Sequence, residues 1–97
     1  MKKEILHECT DYLLEGEMSG DIIYLHFKWL GDAFTRASYN RLLSVYDALR
    51  IDAREAGVEE FRSVILNTDN KARKWQGLFG LTPIQHLENY TIYGMEI

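Results

Sequence analysis

Cysteine and proline are almost missing from this chain: Cys9 and Pro83 are their only representatives among 97 residues. A single thiol excludes an internal disulfide framework and cannot complete a metal site by itself. No Pro- or Ser-rich linker, repeat or low-complexity segment divides the chain, so residues 1–97 read as one small domain. Long apolar runs are missing too, and Met1-Lys2-Lys3-Glu4-Ile5 has basic residues without the apolar core of a signal peptide. A soluble intracellular protein, without membrane contact, is the simplest expectation. Excess positive charge is the last absence: 11 Lys and Arg face 15 Asp and Glu, a net charge of −4. That balance argues against general affinity for nucleic-acid phosphates. What is present, 46% hydrophobic and 12% aromatic residues, is ordinary for a folded globule.

Two runs near the N-terminus alternate with period two. From Glu8 to Met18, Thr10, Tyr12, Leu14 and Met18 share one parity, with Asp11, Glu15 and Glu17 on the other. Ser19-Gly20-Asp21 supplies a turn. From Ile22 to Leu30, an apolar face of Ile23, Leu25, Phe27 and Trp29 stands opposite Tyr24, His26 and Lys28, so a hairpin is predicted. The period then becomes helical. Leu42, Val45, Tyr46, Leu49, Ala53 and Ala56 form one stripe, and Gly57 stands where a left-handed residue would end the helix. Phe61 to Leu66 reads as a parallel strand covered on both faces. Asn67-Thr68-Asp69 offers capping oxygens for a helix from Asn70 to Phe79 that presents Ala72, Trp75, Leu78 and Phe79 to a core. Gly80 and Pro83 end that helix, and a strand pair turning at Glu88-Asn89 closes the chain, with Gly94 as a potential bulge. The expected architecture is an α/β (α+β) layered domain with a mixed sheet, in the order β-β-α-β-α-β-β, its crossover right-handed.

The segment Ala72-Arg-Lys-Trp-Gln-Gly-Leu-Phe-Gly-Leu81, followed by the closing strand Tyr93-Gly94-Met95-Glu96-Ile97, resembles the C-terminal part of the GNAT acyltransferase superfamily. The likeness in element order runs from Ile22 to Ile97; the family's first strand and first helices have no counterpart. It implies a sheet with two splayed parallel strands and an acyl-coenzyme A cofactor. In the family a glycine-bearing phosphate cradle precedes the helix after the central strand, which places it here just before the Leu42-Leu43 pair. Here that stretch is Phe34-Thr-Arg-Ala-Ser-Tyr-Asn-Arg41, without glycine, and Tyr39 and Asn40 stand where close approach is needed. The position of the family's acid tyrosine is Gln76, and an amide cannot donate a proton to a leaving thiolate. The chain is also similar in pattern to acyltransferase-like internal virion proteins of tailed phages. Two functions follow from the resemblance. One is a phage-type protein that has lost acyl transfer, uses no cofactor and works by structural or protein binding, in the cytoplasm or a virion. The other is a minimal N-acetyltransferase using acetyl-CoA, with Arg36 and Arg41 on the phosphates and the strand end at Trp29 and Leu30 pairing with the pantetheine.

Other polar residues carry weaker signals. His7, Cys9 and His26 match no compact metal or nucleophile spacing. In an active GNAT enzyme, His26 or Lys28 would lie where a general base serves the acceptor amine. Lys71, Arg73 and Lys74, near a helix start, suit a phosphate or an acidic partner, or simply a solvated face. Trp29, Trp75, Tyr90 and Tyr93 read as packing residues. Two sheet edges without strong guards make a homodimer or another protein partner a fair expectation.

Overall fold

The computed structural model describes residues 3–97. Eight elements follow in order: β1 Glu4–Glu8, β2 Tyr12–Ser19, β3 Ile22–Trp29, α1 Arg36–Glu55, β4 Glu60–Leu66, α2 Asn70–Leu78, β5 Thr82–His86 and β6 Tyr90–Glu96. The strands form one mixed sheet in the order β1-β2-β3-β4-β6-β5. Only β3 and β4 are parallel, joined by α1, while all other neighbours are antiparallel. The expected mixed α+β sheet is therefore present, with one strand more than the periodicity foretold. β1 is short and charged, pairs along the edge of β2, and is separated from it by a tight turn in which Cys9 N–H donates to Tyr12 O at 3.1 Å.

Both helices end as their glycines dictate. After α1, Gly57 takes φ 89°, its N–H donates to Arg54 O at 3.1 Å, and Val58 N–H reaches Ala53 O at 2.9 Å. After α2, Gly80 takes φ 86°, its N–H donates to Gly77 O at 3.3 Å, and Leu81 N–H reaches Gln76 O at 2.9 Å. Each pair of bonds satisfies carbonyls that the last helical turn leaves free, and each needs a residue that tolerates positive φ. At the other ends, Thr35 caps α1 through Ser38 N–H, and Asp69 caps α2 through Ala72 N–H at 3.0 Å.

Cross-strand register places Tyr12, Leu14, Ile23, Leu25, Phe27, Trp29, Phe61, Ser63 and Tyr93 on one face of the sheet. Both helices pack there: α1 through Leu42 and Tyr46, and α2 through Trp75 and Phe79, whose ring stacks on Tyr46 at 4.5 Å. Tyr12, Leu14, Leu42 and Phe61 have no solvent exposure. Truncating Leu42 to alanine would cost about 2–5 kcal/mol by transfer and cavity terms.

The opposite face corrects the sequence reading of β4. Val64, Leu66, Ile84 and Tyr90 lie there, 43–48% exposed, so β4 is covered on one side only. A continuous apolar run looks the same whether one or two layers cover it. Leu78 and Ala56 are likewise exposed rather than core. The irregular register falls between Pro83 and Gln85 on β5, not at Gly94, whose Cα pairs regularly with Arg62. No helix among the described residues is long and apolar enough to cross a membrane.

Candidate binding cleft

β3 and β4 keep company for three residue pairs: Ile22 with Glu60, Ile23 with Phe61 and Tyr24 with Arg62. Beyond them β3 follows β2 to Trp29, β4 follows β6 to Leu66, and the two part. Parity identifies the groups left facing the gap. Leu30 N–H donates to Asp11 O on the β2 side at 2.7 Å. Backbone groups point to alternate sides along a strand, so those of Phe27 and Trp29 point away from β2 into the gap, past Leu25, whose N–H makes the last parallel pair, Tyr24 with Arg62. On β4, Asn67 N–H donates to Asn89 O on the β6 side at 2.9 Å, which turns Val64 and Leu66 toward the gap. Leu66 O accepts from Asp69 N–H at 3.0 Å, but no strand pairs with the groups of Phe27, Trp29 and Val64, and main-chain donors and acceptors require partners.

A cavity of about 400 Å³ occupies the gap and the space under the helices. Leu25, Phe27 and Trp29 line it from β3, Ser63 and Ile65 from β4, and Trp75, Gln76 and Phe79 from α2 and its cap. Phe27, Trp29, Phe34 and Trp75 form an aromatic wall, with centroids 4.9 Å apart for Phe27–Trp75, 5.1 Å for Trp29–Phe34 and 4.7 Å for Phe34–Trp75. Trp29 Nε1 is buried in this wall and has no hydrogen-bond partner among the described residues. An indole N–H in that state is a donor lacking an acceptor.

The side-chain hydrogen bonds under α2 are already committed. Ser63, 4% exposed, donates through Oγ to Gln76 Oε1, while Gln76 Nε2 donates to Ala72 O at 3.1 Å. Gln76 thus satisfies a buried hydroxyl and its own helix and has no proton to give. Burial raises the Tyr46 phenol well above its ordinary value of 10.0, so it stays neutral at physiological pH.

Beyond Trp29 some main-chain donors are taken, whereas Arg36 and Ala37 N–H, the first two amides of α1, have no partner among the described residues. Asp11 O accepts from both Leu30 N–H and Gly31 N–H, the latter at 3.1 Å. Ser38 N–H is taken by Thr35 Oγ1 at 3.2 Å, and Thr35 N–H faces Ser38 Oγ at 3.4 Å. Tyr39 leans on Phe79 and donates its hydroxyl to Leu78 O at 3.1 Å, which ties α1 to α2.

The candidate residues separate on this frame. Trp29 lies in the cleft wall. Leu30 is next to it, but its amide is spent on Asp11 and its side chain is 51% exposed. Arg36 begins α1, exposed and without an ion pair among the described residues. Arg41 is turned to the β1–β2 end: its Nη2 donates to Asp11 Oδ2 at 2.8 Å and its guanidinium lies 5.7 Å from the Tyr12 ring. That bond to Asp11 raises the already high pKa of Arg41.

His7 and Cys9 gather around Tyr12 instead, whose hydroxyl is 2.7 Å from His7 Nδ1. The Tyr12 phenol is pushed up, first by burial and then by Cys9. His26 lies on the uncovered face, its Nε2 2.9 Å from Glu17 Oε1 but without hydrogen-bond alignment. The basic cluster of α2 disperses: Lys71 rests over Trp75 at 5.9 Å, whereas Arg73 reaches back to Tyr93 Oη at 3.3 Å and Asn67 O at 3.1 Å. Among the described residues, no group of three or more His, Cys, Asp or Glu is placed to hold a metal ion.

No family model and no curated protein matches the sequence. Solved structures do match. The PaiA N-acetyltransferase from Thermoplasma acidophilum, in complex with coenzyme A, superposes with a TM-score of 0.72 at 12% identity, over 90% of this chain and 54% of that one. The GNAT domain of S. lividans PAT gives 0.72 at 18% identity over the same shares. The microcin C7 self-immunity acetyltransferase MccE, in complex with acetyl-CoA and AMP, gives 0.66 at 12% identity, again over 90% and 54%. The fold is that of the GNAT acetyltransferases. The chain spans just over half the length of these three proteins and represents part of the GNAT fold.

Proposed function

We propose that this chain is a GNAT-fold binding domain that takes the acyl-pantetheine arm of an acyl-CoA-type thioester into the gap between β3 and β4, and that it does not carry out efficient acyl transfer. One observation carries the reading: the backbone of Phe27 and Trp29 faces a 400 Å³ cavity with no strand to pair it. An extended ligand with its own amides completes such an edge as an added strand would, main-chain bonds supplying affinity and the walls supplying selectivity. The pantetheine arm has two amides and a narrow, mostly apolar chain. The volume lies within the usual range for small-molecule sites, about 300–1,000 Å³. The aromatic wall keeps water out, which strengthens each hydrogen bond made inside. Two solved neighbours hold CoA or acetyl-CoA, which supports the ligand class.

The cleft offers less to catalysis. Gln76 occupies the α2 position from which an acid would serve a leaving thiolate, and its amide is engaged by Ser63 and Ala72. Calorimetry with acetyl-CoA tests the proposal. Saturable binding is expected, and Ala72→Trp, which fills the cavity from α2, should abolish it while far-UV circular dichroism is unchanged. No heat at millimolar ligand would refute it. Thiol release from acetyl-CoA with amine acceptors should stay at the uncatalysed rate, and turnover would refute the second half of the proposal.

A second reading rests on the uncovered face of the sheet. Val64, Leu66, Ile84 and Tyr90 make an exposed apolar cluster of the kind that marks protein contact. A structural or protein-binding role, as a homodimer or within a phage particle, would use this face and leave the cleft as inherited architecture. Concentration-dependent sedimentation, lost in a Val64→Glu/Ile84→Glu variant, is expected if the face pairs with a second copy; a concentration-independent monomer would exclude the homodimer.

A further inference from the structure

We infer that the Tyr46 hydroxyl is the donor that recognises the acyl carbonyl of the bound thioester, so that the cleft distinguishes an acylated pantetheine arm from the free thiol. The inference rests on the proposed occupancy of the gap and concerns its closed end.

Tyr46 reaches that end through the course of the chain. β3 and β4 pair last at Tyr24 with Arg62 and open toward Trp29, so the gap is narrowest beside Leu25. From Trp29 back to Leu25 the strand covers about 13 Å. α1 starts beyond Trp29 and returns toward the start of β4, and from Arg36 to Tyr46 it descends about 15 Å. Leu25 and Tyr46 therefore lie at a similar depth. Both line the cavity, together with Leu81 and with Phe79, on which the Tyr46 ring stacks at 4.5 Å.

The hydroxyl is a donor without an acceptor. Tyr46 is 8% exposed and makes no side-chain hydrogen bond to another described residue; burial is the sole influence on its phenol, which stays protonated. The nearby polar side chains Ser63 and Gln76 are bonded to each other. A buried polar group in this state is unfavourable until a ligand supplies its partner.

The acyl thioester supplies one. The narrow acyl end of the arm leads into the gap, because its other end is joined to the bulky nucleotide and stays at the mouth. Its carbonyl oxygen is then the deepest acceptor, whereas the free thiol offers only a weakly accepting sulfur. Trp29 Nε1, the other buried donor lacking a partner among the described residues, is at the mouth, where acylated and free arms present the same amides.

Calorimetric titrations of the full chain with S-acetylpantetheine and with pantetheine, repeated on Tyr46→Phe, decide the matter. The acetylated arm should bind about fivefold more tightly, the size of one neutral hydrogen bond. Tyr46→Phe keeps the ring and its stack on Phe79; it should bring the two affinities within about twofold while leaving pantetheine affinity unchanged. A packing role would move both affinities together. Equal affinities in the wild type, or an unchanged ratio in Tyr46→Phe, would overturn the inference with cleft occupancy intact. Infrared spectra of S-acetylpantetheine with an isotope-labelled carbonyl need no variant: the carbonyl stretch should fall to lower frequency in the complex, and an unshifted band would also overturn the inference. Absence of binding by both ligands would remove the occupancy and the inference together.

Discussion

The bond between Ser63 and Gln76 makes an asymmetric prediction that the geometry allows to be worked through. Ser63 is on β4 under α2 and is 4% exposed, so removing Gln76 gives its hydroxyl no water in exchange. Gln76→Ala should therefore cost about 1–3 kcal/mol, the penalty for a buried polar group left unpaired. Ser63→Ala leaves the partner on a partly exposed helix, where solvent can replace the lost bond, and should cost only about 0.5–1.5 kcal/mol. In the double variant the orphaned hydroxyl no longer exists. Its destabilisation should fall short of the sum of the singles by about 1 kcal/mol, within the range of coupling seen for residues in contact. For a domain of this size each kcal/mol moves Tm by about 4–8 °C, so Gln76→Ala should be plain in a thermal scan. Urea unfolding at equal m-values gives the free energies. Additivity within about 0.5 kcal/mol, or Ser63→Ala costing more than Gln76→Ala, would refute the bond and with it the claim that Gln76 is locked in a structural role.

Three further outcomes are expected. Asn67→Ala should cost about 1–3 kcal/mol, because Asn67 accepts from Thr91 Oγ1 at 2.6 Å and donates to Leu87 and Glu88 carbonyls, clamping the β5–β6 turn to β4; chemical denaturation measures it. Gly57→Ala isolates backbone strain, since an added Cβ there meets nothing within 4 Å while φ is 89°; a loss of about 1–2 kcal/mol is expected, and an unchanged Tm would contradict the cap geometry. The Glu59 carboxyl is held above its ordinary 4.5, first by its hydrogen bond with Asp21 and then by that residue's charge. A raised carboxyl pKa means the folded state keeps its proton longer than the unfolded chain. This contribution is present in full below 4.5 and is lost as pH climbs through the folded value, so Glu59→Gln should flatten the decline in stability just above 4.5.

How much of this could be read from the sequence depends on the range of the interaction. β3 and α1 were legible because their apolar residues keep periods of two and near 3.6, and both caps were legible because Gly57 and Gly80 stand at the required places. β1 was not, since Glu4-Ile-Leu-His-Glu8 is a short charged edge without alternation. The single-sided cover of β4 was not, because Phe61–Leu66 has the same composition either way. The segment from Ala72 to Leu81 and the closing strand pointed to the GNAT fold, and Gln76 was visible as a departure. The gap itself arises where two strands stop pairing, which no local pattern encodes. Asp11 was equally hidden: its two backbone bonds and its pair with Arg41 join residues about twenty and thirty positions away along the chain.

The central claim is that the free edge of β3 receives a ligand. Amide-resolved nuclear magnetic resonance during titration with S-acetylpantetheine tests it most directly. The expected result is saturable shifts and slowed exchange at the backbone N–H groups of Phe27 and Trp29 and at the Trp29 indole N–H, with the even-numbered neighbours His26 and Lys28 far less affected. Unchanged spectra at saturating ligand, or shifts confined to the exposed face around Val64 and Ile84, would contradict it.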